Sequence, residues 1–174
     1  MMKPKIDLDK IELLVLDVDG VLSDGKLVIN SDGSESKCFN TLDGHGMRMW
    51  KRAGKKIAFL SGRFSEPTKR RAEQLGVDFC FQDCHVKLPV LDKLCQDLKI
   101  PFNNVAYIGD DLPDLPAIIR AGFGAAVANA PAEVKEHADY ITSVRGGNGA
   151  VREVIEYVLK NTSQWDKLMQ RYLD

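Results

Sequence analysis

Ile11-Glu12-Leu13-Leu14-Val15-Leu16 runs almost unbroken as apolar residues into Asp17-Val18-Asp19-Gly20-Val21. A short run rich in branched side chains and closed by polar residues reads as a strand buried on both faces of a parallel sheet. Its polar end then marks the carboxyl edge of that sheet, where open α/β sheets bind their ligands. Similar runs recur at residues 56–60, 78–81, 105–108 and 124–127, with a shorter one at 140–142.

Helical stretches alternate with these runs. Residues 43–53 end at Gly54, a good stop signal, and Ser65-Glu66-Pro67 opens a second helix that Gly76 closes. Residues 86–98, 112–121, 131–138 and 149–160 complete the set. The alternation predicts an α/β fold of three layers, a central parallel sheet with helices on both faces. One segment breaks it. Residues 26–29 and 35–39 flank Asn30-Ser31-Asp32-Gly33-Ser34 and predict a β-hairpin around an Asp-Gly turn. The hairpin follows directly on the Asp17/Asp19 strand end and so stands beside whatever happens there. Residues 164–172 read as a short amphipathic piece rather than a flexible tail. With no internal repeat, low-complexity segment or linker, residues 1–174 are expected to form one domain.

Apolar residues make up 44% of the 174 and charged residues 28%, the balance of a soluble globular protein. A formal net charge of −1 argues against nucleic acid or an anionic membrane as partner, since such binders carry a marked basic excess. No apolar run approaches the length of a membrane span, and the opening MMKPKIDLDKIE has no signal-like apolar core, so a cytoplasmic protein is expected. Cys38, Cys80, Cys84 and Cys95 form no C-x-x-C pair and are expected to be buried or partly buried free thiols.

Four polar groups fall at successive strand ends: Asp17 and Asp19; Ser61-Gly62-Arg63; Lys87 at the start of a helix; and Gly109-Asp110-Asp111-Leu112-Pro113-Asp114. So many carboxylates in one place repel each other unless something compensates. A hard divalent cation does so, and magnesium accepts one or two carboxylates while keeping waters and substrate phosphate. Asp17 and Asp110 are the natural carboxylate ligands, helped by a backbone carbonyl near Asp19. With the metal and Lys87 neutralising phosphate oxygens, Asp17 can attack phosphorus. Asp19 can protonate the departing alkoxide and later activate water, and Ser61 can hold a phosphate oxygen. Against this stand plainer alternatives: a solvated strand end, a helix-dipole acid cluster at 110–114, a surface lysine and a turn serine.

The ordered set Asp-x-Asp-Gly-Val, Ser-Gly-Arg, Lys and Gly-Asp-Asp-x-x-Asp resembles the haloacid dehalogenase superfamily of phosphatases. The resemblance implies Asp17 as nucleophile, Asp19 as acid/base and metal-associated, Ser61, Gly62 and Lys87 as phosphate binders, Asp110 as metal ligand, and Asp111 and Asp114 in support. A closer likeness rests on residues 14–25, the hairpin, Asp43-Gly44-His45-Gly46 and Gly146-Gly147-x-Gly149-Ala150-Val151-Arg152-Glu153. Over roughly residues 10–155 these resemble the capless 3-deoxy-D-manno-octulosonate 8-phosphate phosphatases, a family serving lipopolysaccharide precursor synthesis. The likeness implies a homotetramer in which the hairpin and tail of neighbouring subunits close each site, a Mg²⁺ cofactor and a phosphorylated sugar-acid substrate. Arg63, Arg71, His45 and Arg152 become candidate substrate contacts.

The sister family acting on 2-keto-3-deoxynononate 9-phosphate carries a glutamate where this chain has Arg63 and a lysine where it has Gln74. A cation at 63 fits the octulosonate enzymes, pairing with the sugar acid's carboxylate. His45 departs from the aromatic residue expected there. Arg152 either reaches a neighbour's site or forms a helix-start salt bridge. The competing functions are a phosphatase for a related nononate or N-acylneuraminate 9-phosphate and, more remotely, a non-enzymatic interaction module. The latter predicts a lost nucleophile or metal ligand, and this chain has lost neither.

Overall fold

A computed structural model describes residues 6–173. The run that opens the sequence becomes β1 (Leu13–Leu16), in which every residue is buried. It lies at the centre of a six-stranded sheet with β4 (Lys56–Leu60) on one side and β6 (Val105–Gly109) on the other. Beyond β4 lies β5 (Phe79–Phe81), and beyond β6 lie β7 (Phe123–Ala126) and β8 (Tyr140–Ile141). Every pairing is parallel. Between β1 and β6 the chain order reverses direction across the sheet, and crevices form beyond the strand ends at such points.

Both faces are covered, which is why the central strands are apolar without alternation. Helix α1 (Thr41–Arg52) packs against α6 (Ala150–Lys160), and α3 (Lys87–Leu98) packs against α4 (Leu115–Arg120). Trp50 and Met47 on α1 are buried in the core, as their helical spacing implies. Trp50 also donates its indole N–H to the Lys56 carbonyl at 3.0 Å, tying α1 to the start of β4. Across the α1–α6 contact, the buried Asp43 carboxylate accepts from the Arg152 backbone amide at 2.8 Å and so caps α6. The joint appearance of the 43–46 and 146–153 motifs in the sequence thus has a packing cause.

Some expected boundaries move. The hairpin is shorter than expected: β2 (Val28–Ile29) and β3 (Glu35–Ser36) pair over two residues each. The helix expected at 112–121 begins as a single tight turn, Leu112–Asp114, because Pro113 and Pro116 lack the amide donors a longer helix needs. Helix α2 (Glu66–Leu75) starts after Ser65, whose hydroxyl makes no cap bond and is buried without a partner among the described residues. Helix α5 (Ala132–Lys135) is one turn rather than two. The amphipathic tail is a helix, α7 (Gln164–Leu173), with Trp165 and Leu168 against the core. The four cysteines are free thiols, but Cys38 and Cys80 are exposed, contrary to expectation. Among the described residues no helix is long and apolar enough to cross a membrane.

Candidate active site

Register places the chemistry. Leu16 stands opposite Phe59 on β4 and Ile108 on β6, so all three strands end level. Asp17, Ser61 and Asp110 therefore leave the sheet side by side, and the Asp17 amide donates to the Ile108 carbonyl at 3.0 Å. Asp17, Asp19, Gly62, Arg63, Lys87, Asp110, Asp111 and Asp114 line one crevice of about 260 Å³. That is below the usual range for a small-molecule pocket and enough for a phosphate with the first atoms of its alcohol.

Lys87, first residue of α3 and 5% exposed, organises the buried end. Its ammonium donates to Asp17 Oδ1 at 2.5 Å and to Asp114 Oδ1 at 2.6 Å. Asp114 accepts in addition from the buried Tyr107 hydroxyl at 2.6 Å and from the amides of Asp110 and Asp111 at 3.1 and 3.3 Å. Four donors saturate its two oxygens. Although its carboxylate lies within 4.8 Å of those of Asp17 and Asp110, it is an anchor for Lys87 and for the 110–111 backbone. Asp111 caps the Leu112–Asp114 turn through its Oδ1 bond to the Leu112 amide at 2.8 Å.

Two glycines make this density possible. A Cβ on Gly20 would lie 2.0 Å from Asp110 Oδ2, and its φ of +103° is one that L side chains rarely adopt. A Cβ on Gly109 would lie 2.4 Å from the Asp114 Cβ.

The electrostatics of the cluster favour a bound cation. Burial, reinforced by the Asp114 charge, pushes Asp17 well above the usual carboxylate range despite Lys87. Burial and Asp114 likewise push Asp110 up to about 7. Burial would depress the Lys87 ammonium, but the Asp17 and Asp114 carboxylates outweigh it and hold its pKa above the ordinary value. Two crowded carboxylates that resist ionisation, an all-oxygen donor set and an open crevice suit a hard divalent cation between Asp17 and Asp110.

At the mouth, Asp19 Oδ1 accepts from Lys37 Nζ at 2.7 Å. Glu35, two residues earlier on the same face of the hairpin, accepts from Arg63 at 3.4 Å. Ser61 is turned inward, donating to the Arg63 carbonyl at 2.9 Å, so its hydroxyl must rotate to meet phosphate.

The other candidates stand apart from this crevice within the protomer. Arg71 donates to the Asn40 carbonyl at 3.2 Å and to Gln74 at 2.7 Å, with its guanidinium over Phe39. His45 meets the Tyr172 hydroxyl of α7 at 2.9 Å. Arg152 pairs with Glu156 at 2.5 Å within α6, the helix-start salt bridge weighed from the sequence. Sequence reasoning missed Lys37, Glu35 and Tyr107. Period-two spacing in the hairpin puts 35 and 37 on one face, a signal that was available; Tyr107, inside an apolar strand, reads as core.

Comparison with known proteins agrees with this geometry. The haloacid dehalogenase-like hydrolase family matches residues 82–155. The 3-deoxy-D-manno-octulosonate 8-phosphate phosphatase of Escherichia coli K12 is 40% identical over 159 residues, covering 91% of this chain and 85% of that protein. A crystal structure of a probable YrbI family phosphatase from Pseudomonas syringae pv. phaseolica superposes with a TM-score of 0.94 at 48% identity, covering 96% of this chain and 95% of the other. The Moraxella catarrhalis 3-deoxy-D-manno-octulosonate 8-phosphate phosphatase, solved with magnesium, phosphate and KDO, gives 0.93 at 43% identity and covers 95% of each chain.

Proposed function

The chain belongs to the 3-deoxy-D-manno-octulosonate 8-phosphate phosphatases of the haloacid dehalogenase-like hydrolases, and on that premise we propose how its own residues remove the phosphate. The reaction is hydrolysis of 3-deoxy-D-manno-octulosonate 8-phosphate to the free sugar acid and phosphate through an aspartyl-phosphate on Asp17. One observation carries the reading: Lys87 bridges Asp17 and Asp114 beside Asp110 at the level ends of β1 and β6.

Asp17 and Asp110 would hold Mg²⁺, which when bound would offset the negative charge of nucleophile and phosphate and favour the ionised carboxylates. Lys87, the Ser61 hydroxyl and the Gly62 amide bind phosphate oxygens and orient phosphorus toward Asp17. The Asp17 carboxylate forms the new O–P bond as the ester O–P bond breaks, and the departing alkoxide takes a proton from Asp19. Asp19, now a carboxylate, accepts a proton from the water that attacks the phosphoenzyme. Asp17 is released and phosphate leaves. Asp114 and Asp111 keep Lys87 and the 110–111 backbone in place.

The chain works as one domain whose hairpin, about residues 26–39, serves as the flap. A homotetramer completes the site. That reading is supported by the small open crevice and by exposed apolar side chains on the hairpin (Ile29 at 71%, Leu27 and Val28) and next in sequence to crevice residues (Val86 at 69%, Phe64 and Leu112). Arg63, and Arg71, Arg152 or His45 from neighbouring subunits, then meet the sugar acid. The enzyme acts in the cytoplasm on a small soluble substrate, without nucleic-acid or membrane partners.

The test is phosphate release with Mg²⁺ from octulosonate 8-phosphate, nononate 9-phosphate and N-acylneuraminate 9-phosphate. Octulosonate 8-phosphate is expected to be turned over fastest, and Asp17→Asn to abolish turnover. A clear preference for a nine-carbon substrate overturns the substrate; retained activity in Asp17→Asn overturns the chemistry.

A further inference from the structure

Lys37 stands on the hairpin, 20 residues along the chain from the nucleophile, yet its side chain is only 1% exposed. Its ammonium reaches three groups: Asp19 Oδ1 at 2.7 Å, Thr68 Oγ1 on α2 at 3.3 Å, and Glu35 Oε1 at 3.7 Å. Thr68 is itself fully buried. A lysine whose head is buried among two acids and a hydroxyl is held there by specific bonds, because lysine otherwise keeps its charge in water.

Asp19 depends on it. Its carboxylate follows the strand end on an irregular loop, where Gly20 turns at a positive φ. Of its two oxygens, Oδ1 is taken by Lys37, and Oδ2 is buried with no hydrogen-bond partner among the described residues. The same residue lines the crevice. Lys37 thus holds the carboxylate by one oxygen, while the side chain as a whole, 20% exposed, borders the crevice.

We propose that Lys37 is the positioning residue for Asp19: the flap's lysine fixes the carboxylate at the crevice, where it meets the leaving oxygen of the substrate. The hairpin then does more than exclude water. By carrying Lys37, it aims the acid/base group of the reaction, so displacement of the flap also disorders the acid. Thr68 and Glu35 fix the ammonium in turn, and Glu35 also engages Arg63 at the mouth.

This inference rests on the proposed role of Asp19 as general acid, and the experiment separates the two. The kcat/KM of wild type, Asp19→Asn, Lys37→Met and Lys37→Arg is measured with two substrates. Octulosonate 8-phosphate has an alkoxide leaving group that needs a proton; p-nitrophenyl phosphate has a phenolate that does not. The ratio of the two values does not depend on how much of each variant is folded. Asp19→Asn is expected to lower the ratio by about a hundredfold, the usual worth of a general acid. Lys37→Met is expected to lower it about tenfold, part of the loss seen in Asp19→Asn. Lys37→Arg, which keeps a cation there, is expected to recover most of it. If Asp19→Asn lowers the ratio but Lys37→Met leaves it within about threefold of wild type, Lys37 serves only folding or phosphate binding and the inference is overturned. If Asp19→Asn leaves the ratio unchanged, the acid role itself fails and the inference fails with it.

Discussion

Replacing Lys87 by methionine tests the electrostatics of the site through stability as well as rate. The substitution keeps length and apolar bulk while removing the cation that lies 2.5 Å from Asp17 and 2.6 Å from Asp114. Asp114 keeps Tyr107 and two backbone amides; Asp17 is left as the uncompensated buried charge. Breaking a buried ion pair from one side costs roughly 3–5 kcal/mol, and a chain of this size shifts its Tm by roughly 2–4 °C per kcal/mol. In metal-free buffer the full loss is therefore roughly 6–20 °C. It is pH-dependent. Lys87, with its pKa raised in the fold, is charged in both states well below 10.5, so its own titration adds no slope near neutrality. Asp17 and Asp110 have raised pKa values, so the native state holds protons that the unfolded chain has lost, and stability falls as pH rises from the ordinary carboxylate value toward their folded ones. Without Lys87 these values rise further. The deficit of Lys87→Met should thus be smaller near about pH 5 than near about pH 8.5, because the raised Asp17 loses its proton only as pH rises. Denaturant unfolding with EDTA at both pH values measures it. An equal deficit at both, or none at either, refutes the reasoning. With Mg²⁺ and substrate the variant should also lose about 10²–10³ in kcat.

Mg²⁺ affinity should weaken as pH falls through about 7, because Asp110 must shed its proton to bind; calorimetry in buffers of different ionisation enthalpy should detect that proton's release. Gly20→Ala drives a methyl to 2.0 Å from Asp110 Oδ2, and is expected to lower Mg²⁺ affinity at least about tenfold by titration. Asp43→Ala removes the cap of α6 at Arg152 and should cost about 1–3 kcal/mol of stability in urea, leaving kcat within about twofold because Asp43 acts on packing alone.

The parts of the site that come from one short segment each were legible in the sequence. Asp17, Lys87 and Asp110 sit at ends of elements whose apolar runs or stop signals announce them, and parallel alternation alone puts those ends on one edge. What could not be read is what depends on register between distant segments. Tyr107 is an apolar-strand residue until β6 lies beside β1 and the Leu112–Asp114 turn folds Asp114 back over it. Lys37 is a hairpin lysine until α2 and the Asp19 loop enclose its ammonium. Arg71, His45 and Arg152 carried no local signal separating a substrate contact from a packing role. Within the protomer they bond to Asn40 and Gln74, to Tyr172 and to Glu156. Helix α4 was overestimated because the Leu112–Asp114 turn was counted into it; Pro116 has no amide with which to join the two.

The most direct measurement is rapid acid quench of the Mg²⁺-loaded enzyme during turnover of octulosonate 8-phosphate, followed by mass spectrometry of the peptide carrying Asp17. A phosphoryl group on Asp17, formed before the burst of free phosphate and absent from Asp17→Asn, is the expected result. Full turnover with no adduct at any time, together with activity retained in Asp17→Asn, would contradict nucleophilic catalysis by this residue.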